Sequence, residues 1–268
     1  MSLIPSPAVR VALPLALVMA MSPGRAWPQI ATDRPDFVES SATIGRGAIQ
    51  IETSIAYEAT GSASLRSAAW STPTLLRVGV GAMWELRVES DLLIRDASSP
   101  GRRGDDGVAD ASVGVKWHAL DGGGWIPSTA LILHADLPSG SEPLRGEGVG
   151  TSLRAVAEFD LPARLAAGVM PGVSSTRRDG ERHLAGILGV VLGLELTSSV
   201  RAFGEIAFER VAGAEHGGSE GTWNVGLAWL VTDRFQLDAA ASLGATRAAP
   251  EVGFTVGLSR LFGPRRES

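Results

Sequence analysis

The sequence predicts an all-β protein: an antiparallel up-and-down transmembrane β-barrel of about twelve strands. Three observations point there. Ribbons of roughly ten residues alternate apolar and polar side chains, their connections are short and long in turn, and the N-terminus has the form of an export signal. The alternation is clearest over residues 84–95. The even positions read Trp84, Leu86, Val88, Ser90, Leu92 and Ile94, and the odd positions Glu85, Arg87, Glu89, Asp91, Leu93 and Arg95. A strand sends successive side chains to opposite faces, so this ribbon has one apolar and one charged face. A helix would scatter the same charges around its circumference.

Residues 1–26 fit a secretory signal. Arg10 precedes an apolar run over 11–21, and Gly24 and Ala26 supply the small residues for a cut after Ala26. The run is too short to cross a bilayer as a helix. Residues 27–46 are charged and turn-rich with no period, and are expected to form an N-terminal periplasmic arm or plug. The barrel is expected over 47–262, with a C-terminal tail at 263–268.

The ribbons follow in order. Ile49, Ile51, Ile55 and Tyr57 share one parity of the first, and Pro73 marks an irregularity in the second. A tight turn at 80–82 leads into 84–95 and would bring Arg77 near Glu85 on the polar face. Val113, Val115 and Trp117 oppose Ser112, Lys116 and His118. Leu131, Leu133 and Leu137 oppose His134 and Asp136, although Ile132 breaks the polar parity. Leu153 and Phe159 oppose Arg154 and Glu158, and a further ribbon covers 164–173. The stretch at 174–182 is charged and is expected to be a long loop. The run at 184–196 is almost wholly apolar, but Gly189 and Gly193 on one parity favour a strand over a helix. Three more ribbons carry Ile206, Trp223 to Trp229 and Leu237 to Leu243, and the last carries Val252 to Leu258.

A soluble two-sheet sandwich also uses alternating strands. The export signal, the regular loop alternation and tryptophans near strand ends favour the membrane barrel. Charge then sets the sidedness. Facing lipid would cost roughly 2–4 kcal/mol for each basic residue at the midplane, so the charged parity must line the lumen. Removal of Arg10 and Arg25 with the signal leaves 22 basic and 29 acidic residues, a net charge of −7. That balance disfavours nucleic acid as a partner. Cysteine is absent, which excludes disulfides and thiolate chemistry. The four histidines show no metal-ligand spacing, and no metal or other cofactor is expected.

Several stretches together resemble the outer-membrane, transporter-like barrels grouped as the "MetA-pathway of phenol degradation" family. They are Thr32-Asp33-Arg34-Pro35-Asp36 with Glu39-Ser40, then Gly47 and Ile49-Gln50-Ile51-Glu52, then Leu75-Leu76-Arg77-Val78-Gly79, Trp84-Glu85-Leu86-Arg87, and Asp110 with Gly114-Val115-Lys116. The likeness is good over about residues 32–118 and general beyond. It implies an outer-membrane barrel of a Gram-negative bacterium that passes small apolar or aromatic compounds.

The expected function is a channel or passive transporter, with outer-membrane lipid and a small solute as partners and the barrel-assembly machinery acting during insertion. Candidate lumen-lining residues are Arg77, Glu85, Arg87, Glu89, Lys116, Arg154 and Glu205, as a solute site or as a structural ion-pair ladder. Asp33, Arg34 and Asp36 are candidates for a plug or gate contact. Two alternatives stand beside this reading: a structural barrel without transport, and a rim hydrolase using His134 with Asp136 or His118 with Ser112. No catalytic residue is assigned, because no GxSxG motif is present.

Overall fold

A computed structural model describes residues 30–61, 67–96, 106–212 and 218–264. The signal over 1–26 and most of the C-terminal tail lie outside the described residues. Twelve strands form one sheet: β1 (Ile49–Thr60), β2 (Ser67–Gly79), β3 (Trp84–Asp96), β4 (Ala111–Leu120), β5 (Ser128–Leu137), β6 (Gly150–Leu161), β7 (Leu165–Arg178), β8 (Glu181–Glu195), β9 (Val200–Val211), β10 (Glu220–Thr232), β11 (Phe235–Gly244) and β12 (Val252–Phe262). Each pairs antiparallel with its chain neighbours, and β1 pairs with β12, so the sheet closes without an edge. No described helix is long and apolar enough to cross a membrane.

Side-chain parity sorts the two surfaces. Ile51, Ile55, Leu86, Val88, Leu133, Leu153, Val190, Leu192, Val225, Leu227 and Val256 all point outward and are exposed, while Gln50, Glu52, Arg77, Glu85 and Lys116 point inward and are buried. A globular protein would do the reverse, so the outer band is a lipid-facing surface. Aromatic pairs sit at both ends of this band. Trp84 and Trp117 stack at the short-turn end with ring centroids 5.8 Å apart. Tyr57 and Trp70 meet at the long-loop end at 4.9 Å. Rings of this kind suit the lipid–water boundary. The irregularity expected at Pro73 is a register shift between Ser71 and Pro73 in the β2–β3 ladder.

One expected loop is absent. The charged stretch at 174–182 is the end of the β7–β8 hairpin, whose ladder continues to Arg177↔Arg182 and Arg178↔Glu181. Its turn is the pair Asp179-Gly180, both at positive φ (53° and 78°), the backbone of a two-residue type I′ connection. Charge does not stop a ladder that has risen above the lipid band, because the pairing uses backbone and the side chains meet water. Asp-Gly was the local signal.

A charge at the middle of the outer band should be costly. Val225→Arg is expected to destabilise the folded barrel by roughly 2–4 kcal/mol, measured by denaturant unfolding from lipid vesicles, whereas Val225→Leu should stay close to the parent.

Candidate functional site

The arm enters the lumen at the short-turn end and returns to it. Ile30 N donates to Asp233 O in the β10–β11 turn at 3.0 Å. The chain then passes through Asp33, Asp36 and Val38 inside the barrel. It comes back past the β2–β3 turn, where Thr43 Oγ1 donates to Ala82 O at 2.9 Å, and leads into β1. An irregular segment buried in this way must find partners for its backbone and charges. Here the wall supplies both.

Wall carboxylates accept from the arm's backbone. Glu52 accepts from Asp33 N at 3.0 Å, and Glu205 accepts from Phe37 N and Val38 N at 2.9 and 2.8 Å. Glu158 accepts from Ser41 N at 2.6 Å, and Glu85 from Ile44 N at 3.1 Å. Wall cations hold the arm's carboxylates. Asp33 meets Arg87 at 2.5 Å, Lys116 at 2.8 Å and Arg77 at 3.6 Å. Glu39 meets Arg154 at 2.6 Å and Arg87 at 2.8 Å, and Asp36 meets Arg201 at 2.5 Å. The arm's own cation, Arg34, donates to Thr255 Oγ1 at 2.9 Å and lies 3.6 Å from Asp238.

Beneath this layer the wall charges also pair with one another. Arg77 donates to Glu85 at 2.7 Å and to Glu52 at 2.9 Å. The expected Arg77–Glu85 contact is therefore present, but diagonally: Arg77 stands directly opposite Arg87, and Glu85 opposite Gly79. Glu89 binds Arg87 at 3.1 Å and faces His134 at 3.2 Å. All seven candidate lumen residues thus face inward. Six of them, Arg77, Glu85, Arg87, Lys116, Arg154 and Glu205, touch the arm directly, and Glu89 stands one contact further out.

An apolar half completes the socket. Val38 is buried against Ala130, Ile132, Val156, Met170, Val191 and Phe203, with Phe37 beside it. Glycines make the room: a Cβ on Gly189 would sit 2.6 Å from Val38 Cγ2, and one on Gly168 3.0 Å from Val38 Cγ1. The lumen therefore carries an apolar patch beside the charges that sidedness places there. A patch of the inner wall over β5–β9, set among Arg154, Glu158, Arg201 and Glu205, is apolar because it faces Val38 and Phe37 instead of water. Ile132 on the polar parity of β5 and the glycines on one parity of β8 were the visible signals. Glu39, Glu52, Arg201 and Asp238 were missed as site residues because their partners lie far away in sequence.

On the long-loop side of the arm lies an open cavity of about 410 Å³. Its floor includes Asp33, Arg34, Asp36, Phe37 and Glu39, and its walls include Arg87, Glu89, Asp91, Asp110, Ser112 and Arg154. The two histidines considered for a rim hydrolase have other neighbours. His118 Nδ1 lies 2.9 Å from Ser41 O and its Nε2 2.8 Å from Asp121, while His134 faces Glu89. Among the described residues no cluster of histidine and acidic side chains could hold a metal ion.

Burial alone would raise the Asp33 carboxyl. The surrounding Arg77, Lys116 and Arg87 overturn that and hold it well below the usual carboxylate range. Burial also opposes ionisation of Glu39, but Arg87, helped by Lys116 and Arg154 against the neighbouring Asp33, brings it down to about 2. Both carboxylates are charged at neutral pH.

The closed sheet, its apolar girdled exterior and its charged interior define a transmembrane barrel of the outer-membrane class. The chain belongs to the family described as "Putative MetA-pathway of phenol degradation", which matches residues 32–261. No curated protein matches it in sequence. Among solved structures it is similar to an outer membrane channel from Pseudomonas putida F1, at 10% identity and a TM-score of 0.62, covering 83% of this chain and 98% of that one. It is also similar to the NanC porin, at 11% identity and a TM-score of 0.53, covering 79% and 98%. At these identities the likeness is one of fold.

Arg87→Gln removes a cation shared by Asp33 and Glu39. It is expected to weaken arm docking by about 3 kcal/mol, the low end for breaking a buried pair, because Lys116 and Arg154 remain. The readout is the rate at which protease cuts the arm in the inserted barrel. The pH dependence has a definite sign. The Glu39 pKa lies below its ordinary 4.5, so its stabilisation of the docked arm is complete above pH 4.5 and is lost as pH falls toward 2. The difference in protease sensitivity between the parent and Glu39→Gln should be constant above about pH 5 and shrink steadily below that.

Proposed function

We propose that this protein is an outer-membrane channel, a passive route for small molecules, whose lumen is closed at the short-turn end by its own N-terminal arm. The carrying observation is the arm itself. Residues 30–44 lie inside a closed barrel, and their charges and backbone are bonded to the inner wall. In outer-membrane barrels short turns face the periplasm and long loops face outward. The arm is then a periplasmic plug and the 410 Å³ cavity an external vestibule. Export by the segment at 1–26 and insertion by the barrel-assembly machinery place the chain in the outer membrane of a Gram-negative bacterium. Two solved barrels of the same fold are described as a channel and a porin.

In this mechanism a solute enters between the long loops and reaches the vestibule, and it passes when the arm withdraws. Arg77, Glu85, Arg87, Lys116, Arg154 and Glu205 hold the closed state, with Asp33, Arg34 and Asp36 as the arm's own contacts. Glu89, about a third exposed at its side chain, and Asp91 line the path above the plug. The family's association with phenol degradation favours small apolar or aromatic compounds as cargo.

The test is single-channel recording in planar bilayers. Deleting residues 27–40 should raise the conductance about fivefold or more, because a plug that fills the barrel cross-section is removed. Unchanged conductance and selectivity in a functioning pore would reject the arm as the gate. An absence of current from both inserted proteins would favour a structural barrel.

A further inference from the structure

We infer that the arm segment Phe37-Val38-Glu39 occupies a ligand site, and that the ligand which displaces it is a small hydrophobic carboxylate. The inference rests on the arm being a gate and adds what opens it. The socket has two adjoining halves because the arm residues that fill it are consecutive. Glu39 lies against Arg154 at 2.6 Å, Arg87 at 2.8 Å and Lys116 at 3.7 Å. Val38 lies against an apolar wall that includes Ile132, Met170 and Phe203.

Withdrawal of the arm takes Asp33 and Glu39 from Lys116 and Glu39 from Arg154, while Arg87 keeps Glu85 and Glu89 on the wall. Lys116 and Arg154 then carry positive charge that no carboxylate of the wall pairs, which makes the emptied socket a site for an anion. The apolar wall would at the same time meet water. A neutral hydrocarbon covers the wall and leaves Lys116 and Arg154 unpaired. A small hydrophilic anion pairs the cations and leaves the wall wet. A molecule carrying an apolar body and one carboxylate answers both, as Val38 and Glu39 do. The cavity supplies the approach, because Phe37, Glu39, Arg87 and Arg154 all line it. Its volume of about 410 Å³ lies within the range of small-molecule pockets. A ligand arriving from the long-loop side therefore reaches Arg154, whose side chain is 22% exposed, beside Glu39 before the arm moves, and a ligand that binds the open state better shifts the population toward it.

The chain has no cysteine, so Ala42→Cys places a single thiol on the arm. Its labelling rate by a maleimide, with the protein in lipid nanodiscs, reports arm opening without requiring permeation. Benzoate and phenylacetate should raise the rate about tenfold, while acetate and benzyl alcohol leave it near the unliganded value. In the Ala42→Cys, Arg154→Gln protein, labelling should be faster without ligand and should lose the benzoate response. An equal response to acetate or to benzyl alcohol overturns the two-part site. No response to any of the four, with Arg154→Gln still accelerating labelling, overturns the ligand and keeps the gate. If Arg154→Gln also changes nothing, the gate itself is wrong. Should the Ala42→Cys protein not insert, Ser40→Cys reports the same opening.

Discussion

Asp33 sets one carboxylate against three buried cations, and the arrangement of the lumen depends on that contact. Arg77, Arg87 and Lys116 come from three successive strands and converge on it. Arg77 also binds Glu52 and Glu85, Arg87 also binds Glu39 and Glu89, and Lys116 lies 3.7 Å from the shared Glu39, so the interior is a lattice of alternating sign. Such a lattice is costly to dehydrate, and its net worth as stabilisation is small. Its consequence is positional: the docked arm sets Asp33 where it meets all three cations together.

The arm is irregular, yet its backbone finds partners as a strand's would. Its backbone donors go to Glu52, Glu205, Glu158 and Glu85, which perform the service a neighbouring strand would normally perform. The wall acids are thus explained by the arm's amides and the wall cations by the arm's acids. Val38 adds an apolar anchor between them. A segment bound in this mixed way is held by charge, backbone and apolar contacts together.

Much of the barrel was legible from period alone. A closed sheet with lipid outside and charge inside forces alternation, so parity read the strands, the sidedness and the Arg77–Glu85 neighbourhood. Charge misled at the β7–β8 hairpin, because a ladder is indifferent to side-chain polarity once it leaves the membrane. Period also says nothing about the arm. That Asp33 would meet Lys116, or Asp36 meet Arg201, depends on how an aperiodic segment threads a curved wall. The luminal apolar patch left traces in Ile132 and the β8 glycines, but their meaning depended on Val38, a residue with no pattern around it.

The arm's course has a topological consequence. It enters and leaves through the same end of the barrel, held at Ile30 by the β10–β11 turn and joined to β1 beside Gly79, whose carbonyl accepts from Gly47 N. It is a bight pushed into a tube and does not pass out at the far end. It can therefore be drawn out and reinserted with every rung of the cylinder intact, including the seam between the first and last strands.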